Sequence, residues 1–214
     1  MIEEKQLRHM LKVASVTGES PIRDQALLFV LYGTGMMLTE IASLTVADYL
    51  KPDGSLRDVS EVRLEIAHNN RRRPVYWSNT KVVCAINAYL VECVRQKHGI
   101  TTRSVAYRSL DPDTALFRGA DGAPYKLTER RTPAGAISYS CDSLSQVFRR
   151  LHLQAGIDGG HALAGRRTFA VRLFRKGYDL RHIAELLGHQ TLTATKRLVD
   201  QDPVALGDLV AGVI

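Results

Sequence analysis

The chain has 214 residues, enough for one generous domain or two small ones. Apolar residues make up 45% and aromatics 7%, which excludes a disordered chain and supplies a sizeable core. Lys+Arg 29 against Asp+Glu 22 leaves a formal charge of +7, which suggests an anionic partner, nucleic acid being the commonest; the other reading is a basic, solvated surface. The three cysteines, Cys84, Cys93 and Cys141, form no C-x-x-C pair, so neither a disulfide framework nor a metal site is expected. Cys84 and Cys93 lie in one helical pattern and read as buried thiols. No apolar run approaches the ~20 residues of a bilayer span. The start "MIEEKQLRHM" lacks the apolar segment of a secretory signal, and a cytoplasmic location is expected.

In "MIEEKQLRHMLKVAS" the spacing of Leu7, Met10, Leu11 and Ala14 predicts one helix with a single buried stripe. "ESPIRDQALLFVLYGTG" predicts a second: Ser20 caps it, Pro21 suits its first turn, and Gly33 and Gly35 end it. Its apolar density implies burial on most sides. "MLTEIASLTVADYL" is a short helix followed by a turn into extended chain. "EVRLEIAH" alternates and "VYW" is β-prone, so the segment from Pro52 to Ser78 reads as a small antiparallel sheet with a hairpin at residues 69–73. "NTKVVCAINAYLVECVRQKHG" returns to helical period and ends at Gly99 as a C-cap. The stretch from residue 100 to 140 reads as loop, with "ALF" as its buried anchor. "CDSLSQVFRRLHLQAGI" is amphipathic, and three further helical pieces follow, separated by Gly177 and Gly188. The order of elements predicts an α+β fold, mostly α with a small antiparallel β-sheet.

"RDQALLFVLYGTGMMLTEIASLTVADYL", "AGRRTFAVRLFRKGYDLRHIAELLGHQTLTAT" and the strand pair between them resemble the catalytic domain of the tyrosine recombinases, the phage integrase family. The resemblance runs from about residue 4 to residue 200. It implies a single domain over residues 1–214, with no room for the separate N-terminal DNA-clamping domain usual in that family. It also implies a chemistry. A tyrosine hydroxyl attacks a DNA phosphodiester, two arginines and a histidine stabilise the charge that develops, and a lysine protonates the leaving oxygen. No metal and no cofactor are required.

Carried over residue by residue, the resemblance finds several positions replaced. The first arginine falls on Met37 in "GTGMMLTE", and the acidic position on Glu40, which then reads as a helix-surface or capping carboxylate. The hairpin lysine falls near His68. The second arginine is kept as Arg166 in "GRRTFA", with Arg167 beside it. The histidine expected three residues earlier is Leu163, while His161 lies five before and reaches the site only if the loop carries an insertion. His189 in "LLGH" matches the next position. The nucleophile, nine residues further on, falls on Leu198.

The implied function is a DNA-binding member of the family that does not cut, acting as a regulator or accessory factor in DNA recombination, integration or transcription, as on a mobile genetic element. Double-stranded DNA would be held by Arg71, Arg72 and Arg73 on the hairpin, by Arg166, Arg167 and His189, and by Lys196 and Arg197, with Arg130, Arg131, Arg149 and Arg150 as further donors. The tail, residues 201–214, is apolar at Val204, Leu206, Leu209, Val210, Val213 and Ile214. It would reach an active recombinase or a second copy, or else pack on its own domain. Two other readings stay open: an active recombinase with an unrecognised nucleophile such as Tyr178 or Tyr139, or with a site completed by a partner chain, and a protein–protein module that has lost DNA.

Overall fold

The computed structural model describes residues 1–68, 70–102, 104–131, 135, 137–158, 160, 161 and 163–200. Asn69 of the expected hairpin and the tail at 201–214 lie outside the described residues. Helices dominate, and two separate two-stranded antiparallel sheets accompany them.

Helix α1, Glu4–Ala14, buries Leu7, Met10 and Ala14, the stripe its spacing predicts. Helix α2, Pro21–Thr34, begins at its proline and stops at Gly35, whose φ of 64° ends the helical path. Ala26, Leu27, Leu28, Val30 and Leu31 are all fully buried, because a helix apolar on most sides must lie inside. Burying such Leu and Val side chains stabilises the fold by ~1.5–3 kcal/mol each before entropy is counted. Short helices α3, Leu38–Ser43, and α4, Val46–Tyr49, lead to strand β1, Val59–Val62, which pairs with β2, Arg73–Tyr76.

The first strand is shorter than its alternation suggests. After Val62 the chain turns, and the Ile66 and Ala67 N–H groups donate to the Arg63 carbonyl. Helix α5, Thr80–Arg95, is capped by the Asn79 side chain and lies against α2. It ends at Gln96, earlier than the predicted Gly99. Its buried face runs through Val82, Ile86, Tyr89, Leu90 and Cys93, so Cys84 falls off the stripe and is exposed, contrary to expectation.

Leu116 and Phe117 anchor the following stretch, as expected, and Leu110 joins them. The same stretch, read as loop, nonetheless forms a hairpin from β3, Thr128–Arg131, and β4, Ile137–Ser140. Both its faces are almost wholly exposed, so no burial alternation marked it in the sequence. Helix α6, Asp142–Gln154, contributes Leu144, Phe148 and Leu151 to the main core. Within it, His152 is buried: Nδ1 bonds the Phe148 carbonyl at 2.6 Å and Nε2 meets the Tyr32 hydroxyl at 2.7 Å.

Helices α7, Leu163–Arg175, α8, Leu180–Leu187, and α9, Leu192–Val199, form a second, smaller core from Ala170, Val171, Ile183, Leu187 and Val199. Gly177 and Gly188 fall at the two junctions, as their spacing predicts. Helix α7 packs on α2, and α8 packs on β2. These two contacts bring the C-terminal helices against the start of α3 and the first hairpin.

Candidate nucleic-acid interface

The end of α8 is the organising feature. The last carbonyls of any helix lack internal partners, and here guanidinium groups supply them. Arg73 Nη1 donates to the Leu186 carbonyl at 2.8 Å, and Arg166 Nη2 donates to that of Leu187. One residue past the turn, Arg71 Nη1 donates to the His189 carbonyl at 2.6 Å. Arg166 also donates through Nη1 to Gly35 O at 3.0 Å, which joins the end of α2 to the end of α8.

Gly188 makes that junction possible. Its φ is 66°, and a Cβ there would sit 2.8 Å from Arg73 Cδ. Any larger residue would strain the backbone and displace the guanidinium.

Glu40 closes the cluster from the other side. Its carboxylate accepts from Arg73 Nη2 at 2.5 Å, from the Met37 N–H at 2.9 Å and from the His68 N–H at 3.3 Å. Both members of the ion pair are buried, at 2% and 3% side-chain exposure. The sequence reading of Glu40 as a capping carboxylate agrees with the Met37 contact, but its placing on the helix surface does not hold. Arg73 likewise departs from its expected place on an exposed hairpin tip. It begins strand β2 with its side chain turned inward to Glu40 and the end of α8, so it is not available to DNA.

Around this frame Met37, His68, Leu163, Arg166, His189, Gln190, Thr191, Ala194 and Leu198 line an open cleft of about 480 Å³. The retained positions, Arg166 and His189, therefore converge with all three replaced ones, Met37, Leu163 and Leu198. His161 does not join them. It lines an adjoining cleft with Tyr139, and Met37, His68 and Leu163 are common to both. Tyr178 is exposed just before the capping Asp179 of α8 and lines neither cleft.

Of the remaining expected donors, Lys196 and Arg197 are exposed on α9, and Arg167 is partly buried on α7. Arg72 is exposed and pairs with Glu61 at 3.3 Å. Arg130 pairs with Asp142 and Arg131 with Glu129, both at the surface. Arg149 is exposed, whereas Arg150 is drawn to the fully buried Asp24 at 2.6 Å.

The sequence reading gave Thr195 no role, yet it is fully buried with its Oγ1 2.8 Å from His189 Nδ1. When the hydroxyl donates to Nδ1, the neutral ring carries its proton on Nε2, as a donor to an anion. The only signal was the spacing of six residues from His189, which places the hydroxyl one turn into α9.

Burial holds the Arg166 guanidinium down to about 10, with Glu40 working against that and Arg73 adding to it, so it is still charged at neutral pH. Burial, then Arg166, then Arg73 push His189 down to about 4 from its ordinary 6.5. An unfolded chain therefore takes up the His189 proton at higher pH than the folded one. The stability His189 contributes is complete above about pH 6.5 and declines as the pH falls towards 4. Urea midpoints measured at pH 7 and pH 5 are expected to drop more for the natural chain than for His189→Gln. An equal drop in both would contradict the assignment.

The model of the phage integrase family matches residues 1–203. The chain belongs to that family. Among its relatives, tyrosine recombinase XerC of Bacillus subtilis is 28% identical over 194 residues, covering 90% of this chain and 54% of that protein. XerC of Rhizobium meliloti is 30% identical over 185 residues, covering 86% of this chain and 47% of that protein. The chain thus spans about half the length of these curated relatives. Among solved structures, XerA recombinase superposes with a TM-score of 0.70 at 22% identity, over 98% of this chain and 61% of that one. A Tn1549 transposon integrase in complex with circular intermediate DNA gives 0.66 at 16% identity, over 100% of this chain and 65% of that one. The α+β architecture is therefore that of tyrosine recombinase catalytic domains. Among the described residues, no helix is long and apolar enough to cross a membrane.

Proposed function

We propose that this phage integrase family member binds double-stranded DNA, gripping one backbone phosphate in the cleft of Arg166 and His189, and does not break the strand. The observation that carries this reading is the lining itself. A charged guanidinium and an oriented imidazole share one cleft with Leu198, which has no oxygen to displace a phosphate ester. Met37 removes a second guanidinium from the same cleft. Loss of a charge-stabilising donor typically costs a few kcal/mol of transition-state stabilisation, but loss of the nucleophile removes the reaction. Binding survives these losses, because phosphate contacts need donors and no leaving group.

The exposed Lys196, Arg197 and Arg72 and the net charge of +7 support a backbone-tracking role around that phosphate. Tn1549 transposon integrase structures described as complexes with circular intermediate DNA support the choice of DNA as partner. This reading gives the chain a role as regulator or accessory factor in recombination, in a soluble cytoplasmic protein that needs no cofactor.

Gel-shift titration with a mixed-sequence duplex at two salt concentrations tests the binding half. Affinity is expected to fall steeply with salt, by more than tenfold between about 50 mM and 200 mM, as counterion release at several phosphates requires. Binding that ignores salt, or no binding at low salt, would favour the reading of a protein–protein module.

A further inference from the structure

Three of the replaced positions in the phosphate cleft are apolar: Met37, Leu163 and Leu198. Two of them, Met37 and Leu163, continue into the adjoining cleft of about 290 Å³, where they meet the rings of Tyr139, His161 and His68. Tyr139 projects from the exposed β4 with 54% of its surface open, so its ring is available to stack. Ser145 supplies a hydroxyl at the same wall. The two clefts thus present an anion site and, sharing a border with it, an aromatic and thioether-lined recess larger than any nucleobase. A nucleotide has that division: an anionic phosphate joined through a sugar to a flat ring with a polar edge.

We infer that the adjoining cleft receives one nucleobase lifted out of the duplex next to the phosphate held by Arg166 and His189. The base stacks on Tyr139 and lies against Met37 and Leu163, with Ser145 able to bond its edge. Unstacking a base is costly, and stacking on an aromatic side chain offsets part of that cost without regard to base identity. The inference rests on the proposed DNA binding and adds to it a specific state of the DNA. It also gives two of the replaced positions a physical role: Met37 and Leu163, where the resemblance expects Arg and His, form an apolar border that can lie against a ring.

The test compares a fully paired duplex with the same duplex carrying one central T·T mismatch, by gel shift, for the natural chain and for Tyr139→Ala and His161→Ala. A mismatched base costs less to lift out. The natural chain is expected to bind the mismatched duplex roughly tenfold tighter, and Tyr139→Ala to lose most of that advantage and to bind the paired duplex no more tightly than the natural chain does. His161→Ala, also at an exposed site, is expected to act in the same direction. Equal affinity for both duplexes, or a mismatch preference that Tyr139→Ala keeps, overturns the nucleobase site and leaves the phosphate grip standing. No binding to either duplex overturns the DNA-binding reading and the nucleobase site with it.

Discussion

Replacing Glu40 by alanine is expected to destabilise the fold by ~3–5 kcal/mol, the usual cost of leaving a buried charge without its partner. The guanidinium left behind is that of Arg73, 2% exposed and held between Glu40 and the Leu186 carbonyl. The carboxylate does more than pair a charge. It also accepts the N–H groups of Met37 and His68, so its loss frees the start of α3 and the loop before β2 together. Urea denaturation measures the loss. The double variant Glu40→Leu with Arg73→Met is expected to recover much of it, because two apolar residues of similar volume leave no unpaired charge. A Glu40→Ala loss below about 1 kcal/mol would show that the pair contributes little to holding the clefts.

Arg166→Met is expected to weaken duplex binding by about 2 kcal/mol or more, roughly thirtyfold, at moderate salt. Arg166 is 6% exposed, and its two terminal nitrogens already donate to the Gly35 and Leu187 carbonyls. Its position is therefore fixed before any phosphate arrives, and little entropy is lost on binding. Arg166→Lys separates charge from geometry. It keeps the cation but loses the planar fork that spans the two carbonyls, so its affinity is expected to lie between those of the natural chain and Arg166→Met. Both variants also lose the tie between α2 and α8, so far-ultraviolet circular dichroism and the unfolding midpoint must accompany the affinities. Unchanged affinity in a folded Arg166→Met would remove this residue from the interface.

Much of the helical framework was legible because its signals are local. Pro21 and Gly35 bracket α2, Gly177 and Gly188 separate the last three helices, and the apolar stripe of α1 reads directly as a buried face. The β3–β4 hairpin was not legible. Both its faces are exposed, so selection for burial left no period-two pattern to find. The fate of Arg73 was hidden for another reason. Three adjacent arginines look alike in sequence, and only a carboxylate 33 positions away draws one of them inside.

The site divides the same way. The resemblance carried by "GRRTFA" and "LLGHQTLTAT" assigned Arg166, His189 and Leu198 to one site, and they converge because α7, α8 and α9 pack as one unit. The place of Met37 at the site was implied by the family resemblance, and α2 lying against α7 explains its convergence with the others. The place of His161 depends on the loop before α7, whose course no local pattern specified. Thr195 closes the stretch "LLGHQTLTAT", but its orienting contact appears only once α9 turns back on the LGH turn.

The proposed absence of strand cleavage is tested most directly by covalent trapping on a nicked suicide duplex, in which a cleaved strand loses a short fragment and cannot be resealed. The natural chain is expected to leave no protein–DNA adduct that survives denaturing electrophoresis, at protein concentrations that shift all of the duplex. An adduct formed by the natural chain and abolished by Tyr139→Phe or Tyr178→Phe would contradict the account, because it would identify a phenol able to take the place left by Leu198.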